Sequence, residues 1–501
     1  MIKKALLLTV ICTFIFMVGC ASVPECQKVL NHYKNQPQKL KAAQFLIDNM
    51  GDNCYARLSW IDENDNLVEY EALNYKNFDE ALVAFETLEK EHGPISYKAT
   101  LKVKDADVIT ADMLIENIDL AFDAWQTKPW AKAMTFDTFC QYILPYRCSN
   151  EPLDNWRKPL MARYADLPAK LKDPTNPAEA AGIVEKDVHS FVKFNSIFYL
   201  HPTDQGYSEM VKEGRGRCED ISNMISYAMR ANCIAVASDY TPAWANRDNN
   251  HAWNAVLDKD GRGNAPLHNT PAKIYRKMFA PQKSTPFFRK KENEVLPRWL
   301  SGKTFLDVTE QYIPTSDVTI NLDTDIPVDS SMAYLCVFNG GSWAFIAAGD
   351  IKDNKVTFKD MGRGIVYLPA YYVPTEEDDK KGGKLLAASD PFLLYKDGSF
   401  QWLKGSGNNK KVSIQITTTK PKTDDDDTRI HIPAIKVEAG KEYEMFYFND
   451  GDWQSLGKKT AGNEPVLFDN LPEGYLYWVY DINGRKLERI FTIENGQQTM
   501  W

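Results

Sequence analysis

Beyond its first 18 residues this sequence has no long apolar run, so no later segment is expected to cross a membrane as a helix, which takes about 20 apolar residues in succession. It has no Cys-x-x-Cys pair and no Cys/His cluster at zinc spacing, which excludes the small structural zinc folds, and neither metal nor cofactor is expected. An excess of positive charge is also missing. With 59 Lys and Arg against 68 Asp and Glu the formal net charge is -9, and nucleic acid is not an expected partner. Apolar material is plentiful, at 44% hydrophobic and 12% aromatic residues, so the chain can bury cores. Its 501 residues exceed what one core usually serves, and several domains are expected.

The one long apolar run lies at the start. Lys3 and Lys4 precede Ala5 to Val18, and the run closes on Gly19-Cys20. A basic tip, an apolar stretch too short to span a bilayer and a small residue at its end read as an export signal over 1–19. Met17-Val18-Gly19-Cys20 resembles a bacterial lipobox, which implies cleavage before Cys20, lipidation of the Cys20 thiol and a protein held to a membrane of the cell envelope, the outer membrane by preference. Cys20-Ala21-Ser22-Val23-Pro24-Glu25 has no acidic run, and this favours a periplasm-facing anchor over surface display. Of nine cysteines, Cys12 leaves with the signal and Cys20 is lipidated; the remaining seven are odd in number, so at least one thiol is free. Export permits disulfides, and the expected pairs are Cys26 with Cys54 and Cys140 with Cys148, with Cys218 free.

The chain reads as a multidomain α+β protein. Residues 20–173 form a mainly helical region, in which Leu30, Tyr33, Leu40, Ala43, Leu46 and Met50 recur at helical spacing, as do Leu114, Ile118, Ala121, Phe122 and Trp125. The aromatic-rich stretch from Trp130 to Trp156 is read as packing. Residues 174–300 mix helical and strand patterns. From Phe305 onward, short alternating runs between Gly, Asn and Asp turns predict two β-sandwich units, 305–405 and 410–501. One constant shift lays Phe338 on Phe448, Asn339 on Asn449, Gly341 on Gly451, Trp343 on Trp453, Val356 on Val466, Phe358 on Phe468, Gly364 on Gly474 and Tyr367 on Tyr477, so the units read as copies. The acidic run Asp424 to Asp427 is taken as a solvated turn or linker rather than a calcium loop.

The chemistry lies in the middle segment. Gly214-Arg215-Gly216-Arg217-Cys218 sets a glycine-rich loop before a helix with apolar positions Ile221, Met224, Ile225, Ala228 and Met229. Cys218 therefore stands at a helix N-terminus, where backbone N–H groups and a partial positive charge favour a thiolate and can donate to a substrate oxyanion. A strand follows from Ile234 to Tyr240, then a polar loop, and a second strand opens with His251. Alternation along His251-Ala252-Trp253-Asn254-Ala255-Val256-Leu257 puts His251 and Trp253 on one face. A histidine at such a strand edge can take the thiol proton and return it to a leaving amine.

Gly216-Arg217-Cys218, Met229-Arg230-Ala231 and His251-Ala252-Trp253, in this order, resemble the transglutaminase-like superfamily, which includes peptide N-glycanases and bacterial cysteine peptidases. The resemblance covers about 100 residues and implies a papain-type α+β core with Cys218 as nucleophile and His251 as base. The family places an Asp roughly 15 to 17 residues after the His, where this chain has Pro266, Leu267 and His268. Asn264, His268 and Asn269 are candidates to orient the imidazole, with Asp258 as an acidic fallback. The order of lipobox, helical region, core and C-terminal β-units resembles lipoproteins of the Bacteroidetes type. The expected function is cysteine-dependent hydrolysis or transamidation of an amide in a peptide, protein or glycopeptide. The alternative is a lipoprotein whose core has lost catalysis and whose β-units bind protein or glycan.

Overall fold

The computed structural model describes residues 23–265, 267, 269–322, 325–374, 383–407, 410–424, 431–463, 465–484 and 486–501. The export signal, Cys20, His268 and most of the acidic run at 424–427 lie outside the described residues. In the N-terminal region the longer elements are α1 (Val23–His32), α2 (Pro37–Asn49), β1 (Cys54–Ile61), α3 (Phe78–His92), β2 (Ser96–Lys104) and α4 (Ala111–Thr127). Thr110 caps α4 by accepting the Met113 N–H, and the helix buries Leu114, Ile118, Ala121 and Phe122, the stripe its spacing predicts. The region is less purely helical than expected, because β1 and β2 pair antiparallel from Cys54↔Lys104 to Ile61↔Ser96. Strand β2 is exposed along nearly its whole length, so main-chain pairing holds it and its apolar residues carry no burial period.

The aromatic stretch is packing. Trp130 and Trp156 are buried, and their indole N–H groups donate to Asn232 O at 2.9 Å and Tyr146 O at 2.8 Å. The expected disulfides, Cys26 with Cys54 and Cys140 with Cys148, do not form, since Cys54, Cys140 and Cys148 are free thiols. Cys26 and Cys140 serve as small apolar side chains inside the helical core, whereas Cys54 and Cys148 line a cleft.

The central unit contains α5 (Arg157–Arg163), α6 (Pro177–Phe191), α7 (Cys218–Ala231), and strands β3 (Val236–Thr241), β4 (His251–Leu257), β5 (Gly263–Asn264), β6 (Tyr275–Lys277) and β7 (Phe305–Asp307). The strands form one antiparallel sheet in the order β5-β4-β3-β6-β7, which carries the unit past residue 300. Helix α7 is buried from Asp220 to Ala231, with α5 and α6 packed against it as well as β3 and β4. It is the central rod on which the site is built.

The longer or sheet-ordering strands that follow are β8 (Thr315–Asn321), β9 (Met332–Asn339), β10 (Ser342–Lys352), β11 (Lys355–Gly362), β12 (Ile365–Val373), β13 (Phe392–Leu394) and β14 (Phe400–Trp402), then β15 (Lys411–Ile416), β16 (Glu442–Asn449), β17 (Asp452–Thr460), β18 (Val466–Pro472), β19 (Tyr477–Asp481), β20 (Ile490–Glu494) and β21 (Gln497–Met500), with short strands such as Lys384–Ala387, which pairs with β12, between them. The first set runs β8-β11-β10-β9-β12-β13-β14; the second pairs β15 with β18 and runs β17-β16-β19-β20-β21, the same strand sequence at matching positions. Even the irregularities recur. The register slips between Leu335 and Cys336 in one unit and between Met445 and Phe446 in the other, and the Tyr367 hydroxyl donates to Gly362 O as Tyr477 does to Pro472 O. The copies meet through their equivalent hairpins: Trp343 and Trp453 stack at 6.4 Å, with Phe338 edge-on to Trp453 and Phe448 edge-on to Trp343. Each copy thus offers the same patch to the other, as in a two-fold contact. No described helix is long and apolar enough to cross a membrane.

Candidate functional site

Cys218 is the first residue of α7 and is partly exposed. The turn before it is closed by Asp220, whose Oδ2 accepts the Arg217 N–H at 2.9 Å while its two oxygens take the Gln205 N–H and Nε2, each at 3.1 Å. That closure explains the glycine of the Gly-x-Cys motif, since a Cβ on Gly216 would sit 2.7 Å from Asp220 Cβ and 3.0 Å from Gln205 Nε2. Charges near the helix start are matched locally: Glu219 pairs with Lys277, and Arg217 pairs with Asp204. Burial pushes the Glu219 carboxyl up, but the Lys277 ammonium, together with the Arg217 charge and a hydrogen bond from Ser149, holds Glu219 below its ordinary value. Asp204 goes the other way, pushed up to about 6 by burial and by the Glu219 charge.

The placement of His251 follows from chain direction. β3 leaves the C-terminal end of α7, and β4 returns antiparallel to it with Val236↔Val256 and Thr241↔His251, so α7 and β4 run the same way. Asn254 Nδ2 pins them at mid-length, donating to Ser222 O at 2.9 Å and Ser226 Oγ at 2.8 Å. Three strand residues back from Asn254 cover about 10 Å. Four to eight helix residues back from Ser222 and Ser226 cover about 6 to 12 Å. Both paths arrive at the same end, where Cys218 and His251 stand. The buried His251 ring stacks with Trp244, at 5.9 Å and 25°, and with Trp253, at 5.5 Å and 29°.

The four residues considered for the third position fall in different places. Asp258 sits in the exposed turn beyond the far end of β4, accepting the Asp260 and Arg262 N–H groups at 2.9 Å each. Asn264 pairs with Val256, five strand residues from His251. The antiparallel pairing of β5 with β4 covers Gly263 and Asn264, and Asn269 follows five residues later. Asn269 is buried. Its Oδ1 accepts Asn246 Nδ2 at 3.3 Å, and Ala245 N donates to Thr270 O at 2.9 Å, which holds Asn269 beside the loop whose Trp244 covers His251. His268 lies outside the described residues.

Sequence reasoning missed two supports of this arrangement. Beneath Trp253, the fully buried Asp239 takes both Arg276 Nε and Nη2, at 2.8 and 2.9 Å, and the Tyr312 hydroxyl at 2.6 Å; a lone Asp inside an apolar strand was the available signal. The loop before His251 is clamped by both C-terminal units. Asn339 Nδ2 points at Trp244 O, Arg247 O and Asn249 O at 2.9 to 3.0 Å, and its Oδ1 accepts the Asn249 N–H at 3.1 Å. From the second unit the buried Arg489 donates to Ala245 O, and Lys420 pairs with Asp248 at 2.6 Å. Burial pulls the Arg489 guanidinium down to about 10 against the pull of Asp248. Among the described residues no cluster of three or more His, Cys, Asp or Glu is placed to hold a metal ion.

A cysteine at the start of a buried helix packs beside a five-stranded antiparallel sheet in which the strand next to the central one opens with histidine, so the unit is a mixed α+β core with helix-terminal Cys218 and strand-leading His251. Residues 161–263 match the family model of the transglutaminase-like superfamily, and the chain carries such a domain. The match includes Cys218 and His251 and stops before Asn269. No curated protein matches the chain.

Proposed function

We propose that this protein is a lipid-anchored envelope enzyme that transfers the acyl group of an amide through Cys218. What carries the reading is the parallel run of α7 and β4, pinned by Asn254, which sets a helix-terminal cysteine and a strand-leading histidine at one end. The Cys218 thiol gives its proton to His251, and the sulfur attacks the amide carbonyl. Backbone N–H groups of the first turn of α7 receive the oxyanion, because those of a helix start have no intrahelical acceptor. His251 then returns the proton to the departing amine, leaving a thioester on Cys218. Water resolves the thioester to acid and thiol, which is hydrolysis; a second amine resolves it to a new amide. The stacked Trp244 and Trp253 rings confine the imidazole plane, and Asn269 is the orienting residue in this scheme, in the part an Asp takes in the family pattern.

The test is turnover of a mixed peptide and glycopeptide pool. Cys218→Ser and His251→Ala are each expected to lose on the order of a thousandfold or more, and the double variant little beyond that, because nucleophile and base act as a unit. Asn269→Ala is expected to lose less. Absence of turnover in the wild type, with glycan or protein binding unchanged in Cys218→Ser, would sink the enzyme reading in favour of a binding lipoprotein.

A further inference from the structure

A cleft of about 450 Å³ opens between the N-terminal region and the central unit, a volume in the range of small-ligand sites. It reaches the Cys218 end of α7 through two of its lining residues. Lys277 is the partner of Glu219, which follows Cys218, and Tyr240 precedes Thr241, the cross-strand partner of His251. The lining presents five cations, Lys102, Arg147, Arg230, Lys277 and Lys303, against the single carboxylate of Asp52, in a chain whose net charge is -9.

The balancing carboxylates sit behind this surface. Asp105 takes Arg147, Glu219 takes Lys277, and Glu151 is occupied by the Cys148 and Ser149 N–H groups and the Tyr227 hydroxyl; Asp52 itself bridges to Lys303. Lys102 and Arg230 form no ion pair among the described residues. Arg230 is 7% exposed, and although its Nη1 donates to Arg147 O at 2.7 Å, its Nε has no acceptor. Gln141 Oε1, also in the lining, has no donor. A buried guanidinium edge left unpaired is costly unless a ligand completes it, and a carboxylate fits that edge best.

We propose that this cleft is the substrate subsite and that it takes a peptide bearing a carboxylate near the attacked amide. The proposal rests on the acyl-transfer reading but is tested without turnover. Full-length Cys218→Ser protein is titrated into a fluorescein-labelled peptide of alternating alanine and glutamate, and into the same peptide with glutamine, following anisotropy at low salt. The glutamate peptide is expected to bind about tenfold tighter or more, with the preference shrinking as salt screens the charges. Lys102→Glu with Lys303→Glu should remove the preference, and Lys102→Ala, at an exposed position, should weaken it without perturbing the fold. Equal binding of the two peptides, or a glutamate preference that survives the double reversal, overturns the subsite. Turnover by the wild type decides the acyl-transfer reading separately.

Discussion

The duplication supplies its own control for the idea that the C-terminal units shape the site. Asn339 and Asn449 are equivalent hairpin residues, yet Asn339 holds the loop before His251 while the Asn449 amide, among the described residues, bonds only its neighbour Asp450, at 2.7 Å. In Asn339→Ala the side chain loses two N–H donors and one acceptor. At about 1 kcal/mol net per hydrogen bond this costs roughly 2 to 3 kcal/mol, toward the lower end because water can reach part of the loop. Asn449→Ala removes one exposed contact and is expected to stay within about 0.5 kcal/mol of wild type. Urea unfolding of both variants gives the free energies, and hydrogen exchange over 241–252 shows where the loss falls. Exchange there should quicken in Asn339→Ala only. Equal destabilisation by the two substitutions, or unchanged exchange across the loop in Asn339→Ala, refutes the clamp.

Three further expectations follow from the same geometry. Brief iodoacetamide treatment should modify Cys218 and, more slowly, the partly exposed Cys54, while the buried Cys140 and Cys233, whose thiols burial pushes up to about 12, stay unlabelled in mass maps; labelling of Cys233 ahead of Cys218 contradicts the site. Gly216→Ala drives a Cβ to 2.7 Å from Asp220 Cβ, which should cost about 2 kcal/mol in urea unfolding and disturb the Cys218 turn; a neutral result means the capping turn has room. Asp204 has a folded-state value raised from 3.8 to about 6, so its contribution to stability is full below about pH 3.8 and is lost as pH rises through about 6. Asp204→Asn should flatten that fall, and an unchanged stability profile between about pH 4 and 6.5 shows that another group sets it.

Local chemistry wrote much of this protein where it can be read. A glycine loop before an amphipathic helix places Cys218, a strand that opens after a polar loop places His251, and turn residues repeated at one shift announce the paired β-units, because helix starts, strand alternation and tight turns each depend on a few adjacent residues. The exposed β2 escaped notice because its pairing with β1 is main-chain and distant. The disulfide expectation failed because spacing does not say which thiols face each other. Four candidates for the third position could be named from the sequence, and only tertiary contacts separate those described: Asn269 is buried against the loop before His251 through Asn246, whereas Asp258 sits in an exposed turn beyond the other end of β4. Asn339 and Arg489 read as an ordinary turn residue and an ordinary charge, and only packing across 90 and 244 residues of chain turned them on the loop beside the histidine. Residues near in sequence share a backbone geometry that fixes their relation, whereas residues far apart are related only through the burial and register that the folded core imposes.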